Sequence, residues 1–198
     1  MRPLAFLAIA LTLATQTVSA QTTFALSAYS YFVPDDRDYV QPTFTLDRDW
    51  LHLEARYNYE NLDTTSLWVG YNISRSNTVT FDFTAKVGGV FGKTDGVAPG
   101  YSFTLGWRGF ELYSDGEYVF DTHDSSESFF YTWSELSYSP LEWFRAGVVI
   151  QRTKVYKTDF DIQRGLFVGF TFKHLDFTVY VLNPDDNPTT VLGVSFEF

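Results

Sequence analysis

Three histidines, at 52, 123 and 174, and no cysteine limit the acid–base and nucleophilic chemistry open to this chain. His123 sits beside Asp124 and Ser125, the residue types of a base, an orienting carboxylate and a nucleophile. Such a set acts only when folding brings the groups into mutual hydrogen-bond reach, and Ser, Asp and His are also ordinary loop residues. A solvated loop is therefore the favoured reading of residues 123–125. His52 beside Glu54, and His174 in a turn, read as interior-lining or solvated groups, and no His pair has metal-ligand spacing. Asp35, Asp36, Asp38, Asp121, Asp124, Asp159, Asp161, Asp185 and Asp186 fall in or next to connectors. Carboxylates can gather hard cations, but solubility of exposed loops explains them more simply. The chain is read as a non-enzyme with no cofactor and no metal site.

The elements that must position any working residue are strands. Leu51, Leu53, Ala55, Tyr57 and Tyr59 alternate with His52, Glu54, Arg56 and Asn58, a period of two. The alternation recurs at Val79-Phe81-Phe83-Ala85-Val87, Tyr101-Phe103-Leu105-Trp107, Phe144-Ala146-Val148-Ile150, Leu166-Val168-Phe170-Phe172 and Leu175-Phe177-Val179-Val181. No segment reads as an amphipathic helix. Runs between turn signals predict strands over 22–33, 40–47, 50–60, 65–74, 77–91, 97–108, 110–121, 127–138, 142–155, 161–173, 175–183 and 189–198, twelve in all. Ten result if the short 40–47 and 175–183 segments are misread. Aromatics on both faces leave the registers near Tyr29 to Val33 and Phe129 to Trp133 open.

Residues 1–20 carry Arg2, an apolar run from Leu4 to Ala14 and a small-x-small site at Val18-Ser19-Ala20, the order of a secretory leader. Residues 21–198 then form one domain, with no linker or low-complexity tract. Without Arg2 the chain has 13 Lys+Arg against 24 Asp+Glu, a net charge of -11, which disfavours nucleic acid as a partner. Missing cysteine excludes disulfides and thiolate metal sites. An aromatic content of 19% with a mean hydropathy of only -0.11 suits strands with one lipid-facing and one polar face.

The chain ends Val191-Leu192-Gly193-Val194-Ser195-Phe196-Glu197-Phe198, with apolar residues at 192, 194, 196 and 198. This ending, the leader and the twelve alternating runs resemble the small outer-membrane β-barrels of Gram-negative bacteria. The connectors agree: Asp47-Arg48-Asp49, Ser74-Arg75-Ser76-Asn77, Arg108-Gly109, Ser139-Pro140-Leu141-Glu142 and Lys173-His174 are tight, while the intervening ones are mostly longer and acidic. The resemblance implies an all-β antiparallel transmembrane barrel, both termini in the periplasm, outer-membrane lipid around it, and a last strand, with Phe196 and Phe198, read by the barrel assembly machinery. No motif names a subfamily.

With apolar faces to lipid, Glu54, Asp82 and Glu197 join the ionisable residues assigned to the lumen. A charged Arg or Lys facing lipid at the midplane would cost about 2–4 kcal/mol, which sets that orientation. Three pairs are expected to support register: Arg108 with Glu111, Glu135 with Arg145, and Lys173 with Asp176. Arg56, Lys86, Asp115, Glu117, Gln151 and Tyr180 form a mixed zone that reads either as a constriction filtering solutes or as a network that fills the barrel. The resulting expectation is a passive pore for small solutes, its acidic mouth giving a mild cation preference. A closed structural or surface-interaction barrel is the alternative, and a lipid-modifying enzyme of the outer leaflet stands third. Porins for oligosaccharides carry basic tracks for acidic sugars; this acidic chain departs from that pattern.

Overall fold

The computed structural model describes residues 22–155 and 161–198. The expected leader and the acidic connector expected at Lys157-Thr158-Asp159 lie outside them. The strands are β1 (Thr22–Phe32), β2 (Tyr39–Arg48), β3 (Leu51–Tyr57), β4 (Thr64–Ser76), β5 (Thr80–Gly92), β6 (Gly96–Trp107), β7 (Phe110–Asp121), β8 (Phe129–Leu141), β9 (Phe144–Val155), β10 (Asp161–Phe172), β11 (Leu175–Leu182) and β12 (Thr189–Glu197), with one 3₁₀ turn at Ser125–Glu127. Each is antiparallel to its chain neighbours, and β1 closes on β12 through registers such as Leu26↔Phe196 and Phe32↔Thr190. Closure leaves no sheet edge unpaired, the condition for a β-structure in hydrocarbon. Twelve strands form, not ten, because the short β2 and β11 each pair on both sides.

The period of two sets what each wall shows. Leu26, Phe44, Leu67, Val69, Val87, Leu112, Leu166 and Leu192 are exposed outside. The residues between them, among them Trp68, Val90, Val149, Phe167, Tyr180 and Val191, are buried inside. The open registers resolve the same way: Tyr31 and Trp133 point inward and are buried, while Phe32 is 45% exposed on the outer wall.

Several strand ends differ from the sequence expectation. β3 stops at Tyr57, since Asn58 takes a left-handed backbone (φ 57) and its side chain accepts from the Asp63 N–H at 2.8 Å. The alternation breaks there, and Tyr59, expected on the lipid face, turns into the lumen. β8 runs on to Leu141 through a register shift between Tyr138 and Leu141, so the expected turn at 139–142 is strand and the chain reverses at Glu142-Trp143. Pro140, which has no N–H to give a ladder, lies within that irregularity. Arg108 and Gly109 both have positive φ (49 and 83), the form of a primed hairpin turn.

Large interior side chains face inward glycines on the neighbouring strand. Trp68 is in register with Gly88, Phe167 with Gly147, Tyr29 with Gly193 and Arg145 with Gly169. In each case a Cβ on the glycine would come within 3.0 Å of the opposing side chain. The glycines let the rings and the guanidinium lie flat across the wall. Gly88→Val would place its Cβ 2.4 Å from the buried Trp68 ring, and overpacking of that kind is expected to cost about 1–3 kcal/mol, read as a lower urea midpoint of the refolded barrel.

Candidate functional site

Charge is sorted across the wall. The strands carry eleven carboxylates, Asp47, Glu54, Asp82, Glu111, Asp115, Glu117, Asp121, Glu135, Asp161, Asp176 and Glu197, and alternation and register turn all of them inward. Of the eight strand cations, Arg56, Lys86 and Arg145 point inward, while Arg48, Arg75, Arg152, Lys154 and Arg164 point outward near the strand ends. The lumen is strongly acidic.

Arg56, Lys86, Asp115 and Glu117, expected together from sequence, do meet. Arg56 on β3 donates from Nε to Glu54 Oε1 at 2.7 Å, from Nη2 to Glu54 Oε2 at 3.0 Å and from Nη1 to Glu117 Oε2 at 3.0 Å. Its Nη2 also reaches Asp115 Oδ1 at 3.4 Å. Lys86 on β5 donates to Asp115 Oδ2 at 2.6 Å and Glu54 Oε2 at 3.0 Å. The Tyr59 hydroxyl donates to Asp115 at 3.1 Å, and the guanidinium lies 4.0 Å above the Tyr59 ring and 4.8 Å from that of Trp68. Glu60, its side chain wholly buried, stands 3.8 Å from Arg56 Nη1 and accepts from Ser66 Oγ, which in turn accepts from Trp68 Nε1 at 2.9 Å. Four carboxylates thus surround two cations, and Glu60 Oε2 and Glu117 Oε1 have no hydrogen-bond partner among the described residues.

This charged lobe, with Trp68, Val90, Ala98 and Val119, fills the β3–β7 side. Tyr31, Trp133, Val149, Phe167, Tyr180, Leu182 and Val191 fill the opposite side. Tyr180, expected in the mixed zone, belongs to this second lobe, where its hydroxyl donates to Glu135 Oε1 at 2.9 Å beside Trp133 Nε1 at 2.7 Å. Gln151 stands apart, near the loop end of β9.

The expected ion pairs are redrawn. Arg145 pairs with Asp176 and donates to Thr178 Oγ1 at 2.6 Å. It reaches β11 because Gly169 on the intervening β10 has no side chain. Glu135 pairs in register with Val149, four residues beyond Arg145, so it takes the aromatic donors instead. Among the described residues no ion pair joins Arg108 to Glu111 or Lys173 to Asp176. Both cations occupy positive-φ turn positions and lie against outward rings, Arg108 over Trp107 at 5.1 Å and Lys173 over Phe172 at 5.5 Å.

His123 faces Asp95 at 3.8 Å, not Ser125. Asp124 caps the 3₁₀ turn, and the Ser126 hydroxyl and backbone N–H hold its carboxyl below the ordinary range. The sequence arrangement at 123–125 is therefore a turn.

Free interior space lies between the lobes. A vestibule of about 290 Å³ at the loop end is bordered by Tyr31, Tyr39, Gln41, Tyr59, Glu60, Tyr131 and Gln151. A smaller cavity of about 80 Å³ below it shares Tyr31, Gln41, Tyr59 and Tyr131 and adds Tyr29, Tyr113, Asp115, Trp133 and Glu135. At the end where the termini meet, cavities of about 360 and 260 Å³ lie against Asp47, Asn72 and Asp82, and against Asp176, Ser195 and Glu197. Tyr59, Trp68, Glu60 and Ser66 had escaped the sequence reading of the site. Trp68 has apolar neighbours on both sides, and Glu60 follows the end of a strand.

A closed antiparallel barrel with an apolar outer wall is the architecture of an outer-membrane β-barrel. Among solved structures it is similar to the KdgM porin, with a TM-score of 0.62 and 12% identity over 88% of this chain and 99% of that one. It is also similar to the KdgM porin in complex with disordered oligogalacturonate, with a TM-score of 0.60 and 12% identity over 88% and 99% of the two chains. At that identity the likeness is one of fold. No protein-family model and no curated protein matches the sequence.

Proposed function

We propose that residues 21–198, freed of the leader on export, form an outer-membrane channel that admits small solutes by diffusion and mildly prefers cations. The observation that carries this reading is the sorting of charge: eleven strand carboxylates face the lumen against three cations. Such an interior concentrates cations by focusing the field in a low-dielectric tube. Lipid around the barrel and recognition of the last strand by the assembly machinery belong to the same proposal. The acidic lumen opposes oligogalacturonate, the ligand in the KdgM complex, since an acidic sugar would meet like charge.

Asp115→Asn with Glu117→Gln is expected to move the reversal potential across a salt gradient toward anions, because Arg56 and Lys86 are then left without two of their counter-charges. The shift is expected to be larger in dilute salt, where screening extends beyond about 10 Å. An unchanged reversal potential would mean that these carboxylates lie off the conducting path.

The two packed lobes favour a second reading, a closed barrel with a structural role. Planar-bilayer recording of refolded protein separates the two. Stepwise conductance supports the channel, and silence from folded barrels supports the closed form.

A further inference from the structure

The vestibule and the cavity beneath it have the chemistry of a ligand site. Tyr31 and Tyr39 stack at 4.7 Å with their planes 5° apart, and Tyr59 meets Tyr131 edge-on at 5.5 Å. Among the described residues two acceptors there lack a donor: Glu60 Oε2, on a side chain with no exposure, and Gln151 Oε1. A buried acceptor left alone costs about 1–3 kcal/mol, so a ligand that brings donors recovers that cost. Aromatic walls with a few convergent polar groups suit a ligand that has both apolar faces and polar edges.

We infer that this site binds the ring of a neutral saccharide, a proposal that rests on the channel reading and names its solute. The ring's C–H faces would lie on the tyrosines, and its hydroxyls would donate to Glu60 and Gln151. Charge excludes the acidic sugars, because no Lys or Arg is among the described residues lining either cavity. The nearby Arg56 is already committed to Glu54, Asp115 and Glu117. An alkylammonium ion fits less well, since it only donates, whereas tyrosine hydroxyls and amide nitrogens also offer donors that a hydroxyl can accept. The volume of about 290 Å³ lies at the lower edge of ligand pockets, which start near 300 Å³. It suits one ring better than a chain.

The test uses the full barrel in detergent and in a planar bilayer. Binding of glucose, galacturonate and methylammonium is measured by ligand-observed NMR on wild type, Tyr39→Ala and Gln151→Ala, each first shown to be heat-modifiable. Saturable glucose binding is expected, at least tenfold weaker in either variant, with galacturonate at least tenfold weaker in wild type. No saturable glucose binding to folded wild type, equal binding by both variants, or tighter binding of galacturonate or methylammonium overturns the proposal. The bilayer arm tests the channel separately. Glucose binding by a barrel that conducts nothing leaves the site standing and removes the channel, while conductance without glucose binding does the reverse.

Discussion

Arg56→Met is expected to lower the unfolding free energy of the barrel by about 3–5 kcal/mol, the usual penalty for stranding buried charges. Arg56 is 3% exposed, and its guanidinium reaches four carboxylates from β3, β7 and the β3–β4 connector. Without it, Lys86 still pairs with Glu54 and Asp115, but among the described residues Glu60 and Glu117 keep no ion-pair partner. Arg56→Lys keeps the charge but cannot reproduce the two-point contact with Glu54, so its loss should be intermediate. Adding Glu54→Gln to Arg56→Met should recover more than 1 kcal/mol, since contacting residues are not additive. Urea unfolding of the refolded barrel, followed by the heat-modifiable band, reads all three. A loss below 1 kcal/mol for Arg56→Met would mean that water or protons already neutralise the cluster.

Deleting Phe198 is expected to reduce the folded barrel in cells more than tenfold while the exported chain still reaches the periplasm. Phe198 adds the last pair to the β1–β12 seam: its N–H donates to the Phe24 carbonyl at 2.8 Å, and its carbonyl accepts from the Phe24 N–H at 2.9 Å. Its ring stacks on Phe24 at 5.5 Å and on Phe196 at 5.4 Å. The deletion removes these two hydrogen bonds from the seam, and Phe198→Glu would place a charge on the outer face. Comparing folded and heat-denatured bands in membrane fractions measures the effect. Normal accumulation of the deleted form would refute the role given to this residue.

Alternation made the architecture legible, because a wall with lipid on one side and a filled lumen on the other repeats one rule in every strand. The rule also predicted the meeting of Arg56, Lys86, Asp115 and Glu117, which follows from strand parity and height. It failed where the backbone leaves the pleat. Asn58 turns Tyr59 from the outer face into the lumen, and Arg108 and Lys173 sit on turn residues whose side chains no longer obey strand parity. The Arg145–Asp176 pair was missed for another reason: a cross-strand rule considers adjacent strands, and this contact spans three by crossing Gly169. Inward glycines opposite large inward residues are visible in a sequence once register is known, so Trp68 over Gly88 is recoverable from strand pairing alone.

The two lobes that pack the interior confine the remaining space to a region bordered by side chains of β1, β2 and β7–β9. Side chains, and not the ring of strands, set the width of that space. The gauge of this barrel is then not inherited from its twelve strands. Trimming Tyr59 on one side or Trp133 on the other would widen that space with every backbone hydrogen bond in place, so barrels of identical circumference can differ in their free interior.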